Sequence, residues 1–272
     1  MIFRFAISAK EIGALIDKNQ LSLLVGSGVS CACGLPSWDG IVKEMKKELL
    51  DGCSKADKKD LRDFLSTADG PKIAGMYKLK KGEVSYASFL RTRLRNCSYT
   101  SAPVLKTLAK LPIKTIFTTN VDKLLETACR KDKNSIDPVV IMDPSQLPPL
   151  DGSERRIIKI HGDIDYPSSL IFTEDDYRYY DDKYESLRVF FQGHLAFSTM
   201  LLVGFGLRDS NFDRIYAGAR RIVQGSGTRV IALMTNQNSF EKERWEKNGL
   251  LINNFSAYDE IPRFLSNVLR FC

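Results

Sequence analysis

The chain has 272 residues, 43% of them hydrophobic. That is enough for one large α/β domain, or a main domain with a smaller insertion, and excludes a chain too small to bury a core unaided. Its 40 Lys and Arg against 33 Asp and Glu leave a formal charge of +7, a bias towards anionic partners such as nucleotide phosphates, acidic proteins or nucleic acid. Six cysteines show neither the paired C-x-x-C spacing of a zinc site nor the density of a secreted disulfide framework, and no stretch stays apolar for the span of a bilayer; an untargeted cytoplasmic protein that does not enter a membrane is expected.

Short apolar runs, each ending in a small or polar residue, occur at 21–25, 113–119, 157–161, 201–203 and 230–235 and read as buried parallel strands. Amphipathic stretches at 38–50, 121–131, 184–198, 212–223, 240–247 and 261–271 read as helices. The alternation predicts an α/β fold, a Rossmann-like doubly wound parallel sheet, over one domain of residues 1–272. Residues 51–101 break the rhythm: they are rich in Lys and Arg and have helical periodicity, which predicts a small helical subdomain inserted after the first strand–helix unit. Residues 131–151, with Pro138, Pro144, Pro148 and Pro149, are expected to be mostly loop.

The first strand runs into Gly26-Ser27-Gly28-Val29-Ser30 and then Gly34-Leu35-Pro36. Glycines at a strand's carboxyl end let the backbone approach a pyrophosphate. The dehydrogenase fingerprint wants a third glycine where Cys31 stands, so ordinary hydride transfer is disfavoured. The second strand ends in Thr118-Thr119-Asn120-Val121-Asp122, and another in Lys159-Ile160-His161-Gly162-Asp163. Side chains there project into the crevice where doubly wound folds bind ligands. Singly, Asn120 could be a helix cap and His161 a packed core imidazole; their order after a glycine loop is what points to a site.

On these motifs the chain resembles the sirtuin family. Gly26 to Ser30 with Gly34-Leu35-Pro36 looks like the family's G-A-G-x-S…G-I-P loop, residues 118–122 like its T-Q-N-I-D, and His161-Gly162 like its catalytic H-G. The segment 202–207, with Gly204 and Gly206, takes the place of its V-G-T-S-L, and Thr235-Asn236 that of its late I-N strand end. The resemblance departs at the two C-x-x-C pairs that hold the structural zinc of sirtuin deacylases, because no cysteine occurs between Cys129 and Cys272. Trp38 replaces the Phe of the P-D-F-R segment and Phe205 sits at the T-S position. This pattern is most similar to the bacterial sirtuin-like effectors that hydrolyse NAD in antiphage defence.

The resemblance implies NAD as substrate, no zinc, and cleavage of the nicotinamide–ribose bond to nicotinamide and ADP-ribose for NAD depletion in abortive infection. A non-catalytic NAD or ADP-ribose sensing module and an ADP-ribosyltransferase are the alternatives. Asn120 would orient a ribose hydroxyl or the attacking water, and His161 would be the base. Asp122 would either orient Asn120 and its loop or be a helix-start charge. Gly26, Ser27, Gly28, Ser30, Pro36, Gly204, Gly206 and Asn236 would bind the dinucleotide, Ser30 through a phosphate or ribose hydrogen bond and the glycines at 204 and 206 by letting the adenosine ribose lie against the backbone. Asp209 is read either as part of the site or as only a helix cap.

Control of such an enzyme implies a homo-oligomer or a protein partner, such as a HerA-type ATPase or another phage-sensing subunit. Two interfaces are expected: the basic insertion, with Lys72, Lys78, Lys80, Lys81, Arg91, Arg93 and Arg95 opposed only by Glu83, and the aromatic segment 177–191. Nucleic-acid binding by the insertion is weighed below a solvated helical surface, because no recognised nucleic-acid module accompanies it. Thr173 to Asp176 reads as a capping box, and His194, beside Phe190, Phe191 and Phe197, as a packing residue.

Overall fold

The computed structural model describes residues 7–95, 97, 102–132, 137–146, 154–207, 209–224 and 229–272; Pro148 and Pro149 of the expected loop lie outside these. Among the described residues the strands are β1 (Leu21–Val25), β2 (Thr115–Thr118), β3 (Val139–Ile141), β4 (Arg156–Lys159), β5 (Thr199–Val203), β6 (Arg229–Thr235) and β7 (Leu250–Phe255). They form one parallel sheet in the order β3-β4-β2-β1-β5-β6-β7. The chain steps from β1 through β2 to the β3 edge and back to β4, then crosses to β5 on the far side of β1. The strand order therefore reverses between β1 and β5, the place where doubly wound sheets open a ligand crevice.

Every residue of β1 and β5 is buried, as expected for central parallel strands covered on both faces. Alternate side chains divide between two cores. Leu21, Leu23 and Val25 pack with α1 (Ala9–Asp17), α7 (Pro103–Lys110), α8 (Leu124–Lys131) and α13 (Glu260–Val268). Leu24, Met200 and Leu202 pack with α10 (Tyr180–Phe197), α11 (Ser210–Ile222) and Trp245 of α12 (Ser239–Lys247).

A third core joins α3 (Trp38–Asp51), α4 (Lys58–Thr67), α5 (Gly70–Lys81) and α6 (Glu83–Leu94), the last three within the stretch expected to be helical. Met45, Leu65, Ile73, Tyr77 and Leu90 meet Val121 and Ile164 there. The helices after β1 thus rest on the loops that follow β2 and β4, which carry Asn120 and His161.

The structure adds two strands to the five expected. β3 lies within the proline-rich segment and pairs with β4 at the sheet edge; three residues there carry too little periodicity to be seen in sequence. The apolar run of β7 is broken by two asparagines, Asn253 and Asn254, and the buried Asn253 satisfies its side chain on the backbone of Ile7 (3.1 and 3.0 Å). The capping box at Thr173 is present and starts α9 (Glu174–Arg178).

Two expectations about the surface are corrected. The basic helices are opposed by more than Glu83: Arg93 pairs with Glu44 and Glu48 of α3, Arg95 with Asp165, and Arg91 donates to the carbonyls of Ile164 and Asp165, besides the Lys78–Glu83 pair. Sequence proximity counted only one acid because the others come from elements distant in the chain. The aromatic segment 177–191 presents a mostly polar surface, since Tyr180, Tyr184, Leu187 and Phe191 are buried in the second core. An amphipathic helix on a parallel sheet turns its aromatic stripe inward, so only Tyr179 and Val189 of that segment are large exposed apolar residues.

Candidate functional site

Five motifs fall at the carboxyl ends of neighbouring strands, in the order His161 after β4, Asn120 after β2, Gly26 after β1, Gly204 after β5 and Asn236 after β6. Four strand spacings of about 4.8 Å make this row roughly 19 Å wide. The parallel topology, not sequence spacing, is what lines them up.

The glycine loop, which turns into the short helix α2 (Ser27–Cys31), is tied across the switch point. Gly26 donates its N–H to Val203 (3.0 Å) and Gly28 to Gly204 (2.8 Å). A Cβ on Gly204, whose φ is +65°, would lie 2.6 Å from the Val29 nitrogen. The need for glycine at 204 is therefore set by the chain's own loop. Tyr258 adds an O–H donor to the Gly28 carbonyl at 3.1 Å. Ser27, Gly206 and Asn236 lie on the exposed rim and Pro36 is half-buried; Asn236, at φ +50°, donates its N–H to the Phe255 carbonyl.

Asn120, Ser30 and Asp122 form a buried relay. The Asn120 amide donates to the Gly26 carbonyl (3.1 Å) and to Ser30 Oγ (2.9 Å), and Ser30 Oγ donates to Asp122 Oδ2 (2.7 Å). Because a carbonyl only accepts, the Gly26 contact fixes which end of the amide faces the loop. That leaves Asn120 Oδ1 buried and without a hydrogen-bond partner, an acceptor positioned for a donor from outside the chain. Asp122 carries both readings at once, since its Oδ1 also accepts from the Leu124 N–H at 3.0 Å where α8 begins. The Ser30 proton is committed to Asp122, so in this structure Ser30 orients Asn120.

His161 is 4% exposed. Burial pushes its pKa below the ordinary histidine value, opposed by the nearby Asp209 carboxylate, so the ring is neutral at neutral pH and able to accept a proton. Asp209 Oδ2 stands 3.4 Å from its Nε2, and Tyr177 of α9 meets the ring edge-on at 5.8 Å between centroids. Gly162, next in the chain, has φ +80°, and a Cβ there would fall 2.1 Å from the Ser169 carbonyl oxygen. Gly162→Ala is accordingly expected to destabilise the fold by more than about 1 kcal/mol, read as a lower urea midpoint; an unchanged midpoint would contradict this account of the turn.

One residue of the site escaped the sequence reading. Lys159, the last residue of β4, is 1% exposed. It donates to the carbonyls of Val121 (3.2 Å) and Asp122 (2.6 Å) and pairs with Glu126 (2.7 Å) and Asp163 (2.8 Å). Lys123 also reaches Asp163, at 2.6 Å. Burial alone would raise the Asp163 carboxyl, but Lys159 and Lys123 hold it below the ordinary carboxylate range. One ammonium thus fastens the Asn120 loop to the His161 loop. The available signal was a lysine within the apolar run 157–160, itself expected to be buried, where a charge demands partners. Among the described residues no three His, Cys, Asp or Glu side chains gather as a metal site, and no helix is long and apolar enough to cross a membrane.

These features define a doubly wound α/β protein with a polar site at its topological switch point. The chain belongs to the SIR2-like domain family, whose model matches residues 114–252, half of the sequence. It is similar to the NAD(+) hydrolase ThsA of Enterococcus faecium, at 27% identity over 92% of this chain and 53% of that protein. It is also similar to defense-associated sirtuin 2 of Bacillus subtilis, at 26% identity over 94% of this chain and 26% of that protein. The chain thus spans about half or less of the length of these relatives. Its fold is that of the crystal structure of a Sir2 homologue in complex with NAD, with a TM-score of 0.52, 13% identity and coverage of 98% of this chain and 95% of that one.

Proposed function

We propose that the chain is an NAD glycohydrolase that releases nicotinamide and ADP-ribose. The observation that carries this reading is the buried, unpartnered Asn120 Oδ1 beside the switch point, with the neutral imidazole of His161 at the end of the adjacent strand. Relatives named NAD(+) hydrolase support it. The nicotinamide ring nitrogen is cationic in NAD, so the ring leaves as a neutral molecule carrying the C1′–N electron pair, and no strong acid is required. What the reaction needs is a held ribose, a sheltered oxocarbenium-like transition state and a water. Asn120 Oδ1 would accept a hydrogen bond from a ribose hydroxyl or the attacking water, and His161 would take the proton released when water adds to C1′. Gly26, Ser27, Gly28, Pro36, Gly204, Gly206 and Asn236 would line the remaining row for the dinucleotide.

In this reading the protein acts in the cytoplasm, depletes NAD as part of antiphage defence, and is held in check by a homo-oligomer or by a protein partner such as a HerA-type ATPase or another phage-sensing subunit. The helices at 51–101 would form a small subdomain of the single catalytic domain, packed on the two reactive loops. Incubation of the purified chain with NAD, alone and with candidate partners, followed by chromatographic separation of the nucleotides, tests the activity. Equal amounts of nicotinamide and ADP-ribose are expected. Intact NAD under every condition would overturn the proposal, and ADP-ribose recovered on a protein acceptor would replace hydrolysis by transfer.

A further inference from the structure

We propose that Asp209 is a positioning residue that holds the imidazole proton of His161 on Nε2 and so keeps Nδ1 as the nitrogen that accepts a proton in the reaction. This rests on the glycohydrolase reading above. Asp209 immediately precedes α11, and its two carboxylate oxygens face different partners. Oδ1 accepts from the Phe212 N–H at 3.0 Å and caps the helix, while Oδ2 lies 3.4 Å from His161 Nε2. The cap fixes the carboxylate, and its charge then stands close enough to Nε2 to favour a proton there. A helix more than forty residues further along the chain thereby sets the tautomer of a residue at the end of β4.

The chemistry favours this assignment. An imidazole that must accept a proton has to present a bare nitrogen to the substrate, and a carboxylate at the opposite nitrogen both selects that tautomer and stabilises the imidazolium formed. In the balanced step the C1′–N bond breaks with its electron pair going to nicotinamide, water oxygen bonds to C1′, the water proton moves to His161 Nδ1, and that proton is later lost to solvent. The other groups around the pair are Tyr177 of α9, Tyr180 of α10 and Asp213 within α11, all of which feel the Asp209 charge. Burial keeps the two tyrosines protonated at neutral pH. Asp209 is then the carboxylate that faces the ring, and removing its charge should lower the His161 pKa further, since Asp209 is what opposes the effect of burial there.

The test uses Asp209→Asn and Asp209→Ser, which both keep a good helix cap and lose the charge, together with Asp209→Glu, which keeps the charge. For NAD cleavage, both neutral variants should lose about 10²-fold in kcat with little change in KM. Their acid limb should move to lower pH by about one unit, and Asp209→Glu should recover part of the rate. A cap alone would move none of these. The ring is read independently by ¹⁵N shifts, because the chain has only two histidines. The other, His194, is bonded to Ser22 (2.8 Å) and its pKa is pushed down to about 4 by burial and by Arg156. The parent should show His161 protonated on Nε2, and Asp209→Asn should lower its midpoint.

A parent ring protonated on Nδ1, or an unchanged His161 midpoint and rate in the neutral variants, overturns the proposal. The parent tautomer decides it even if every variant fails to fold. A parent that leaves NAD intact sinks the glycohydrolase reading instead, while the ¹⁵N shifts still decide the pair.

Discussion

Asn120→Ala and His161→Gln are each expected to lower nicotinamide release from NAD by about 10²-fold or more, the range that a positioned acid–base group supplies. Asn120 has one amide end engaged by Gly26 and Ser30 and the other unpartnered. Alanine removes the acceptor offered to the ribose or water and leaves the Gly26 carbonyl without that donor. Glutamine at 161 nearly preserves the volume of the imidazole but cannot take up a proton at neutral pH. The measurement is single-turnover nicotinamide release with a thermal melt of each variant. Loss of rate in variants that melt close to the parent supports the site; two folded variants as active as the parent would show the chemistry to lie elsewhere.

Lys159→Met is expected to destabilise the fold by about 3–5 kcal/mol, because it strands the buried carboxylate of Glu126 and leaves Asp163 with Lys123 as its remaining counter-charge. The melting midpoint should fall by roughly 10 °C. The pH dependence has a definite sign. A carboxyl whose folded pKa is depressed, as at Asp163, contributes stability above its unfolded value near ~3.9 and loses that contribution as pH falls through the folded value. The gap between parent and variant should therefore be widest near neutrality and shrink as the pH falls, starting above about pH 4 because a buried carboxylate without its counter-charge takes up a proton more readily than a free one. Urea melts across that range check it, and a gap indifferent to pH would mean that Lys159 acts by packing alone. Because Lys159 also holds the carbonyls of Val121 and Asp122, the folded fraction of the variant should lose NAD turnover as well.

The resemblance in the motifs reached the family, and the residues themselves reached the sheet. The runs 21–25, apolar but for Ser22 and followed by glycine, and 230–235, apolar up to Thr235, read as strands buried on both faces must. The candidate site was legible as far as it consists of strand ends, because in a parallel sheet every carboxyl end faces the same crevice. Gly26, Asn120 and His161 could thus be named together without coordinates.

Pairing across elements was not legible. The relay Asp122–Ser30–Asn120, the Asp209 carboxylate beside His161 and three of the four contacts of Lys159 join residues tens of positions apart, and hydrogen-bond geometry leaves no trace in local periodicity. The same holds for the acids that neutralise Arg93 and Arg95 and for the inward turn of Tyr180 and Tyr184. The sequence by itself determined which side chains stand at the carboxyl edge of the sheet, because alternation and strand polarity are local properties of the chain. Only the tertiary structure decided which of them share protons and charge, because such partners are chosen by the burial and distance that packing creates.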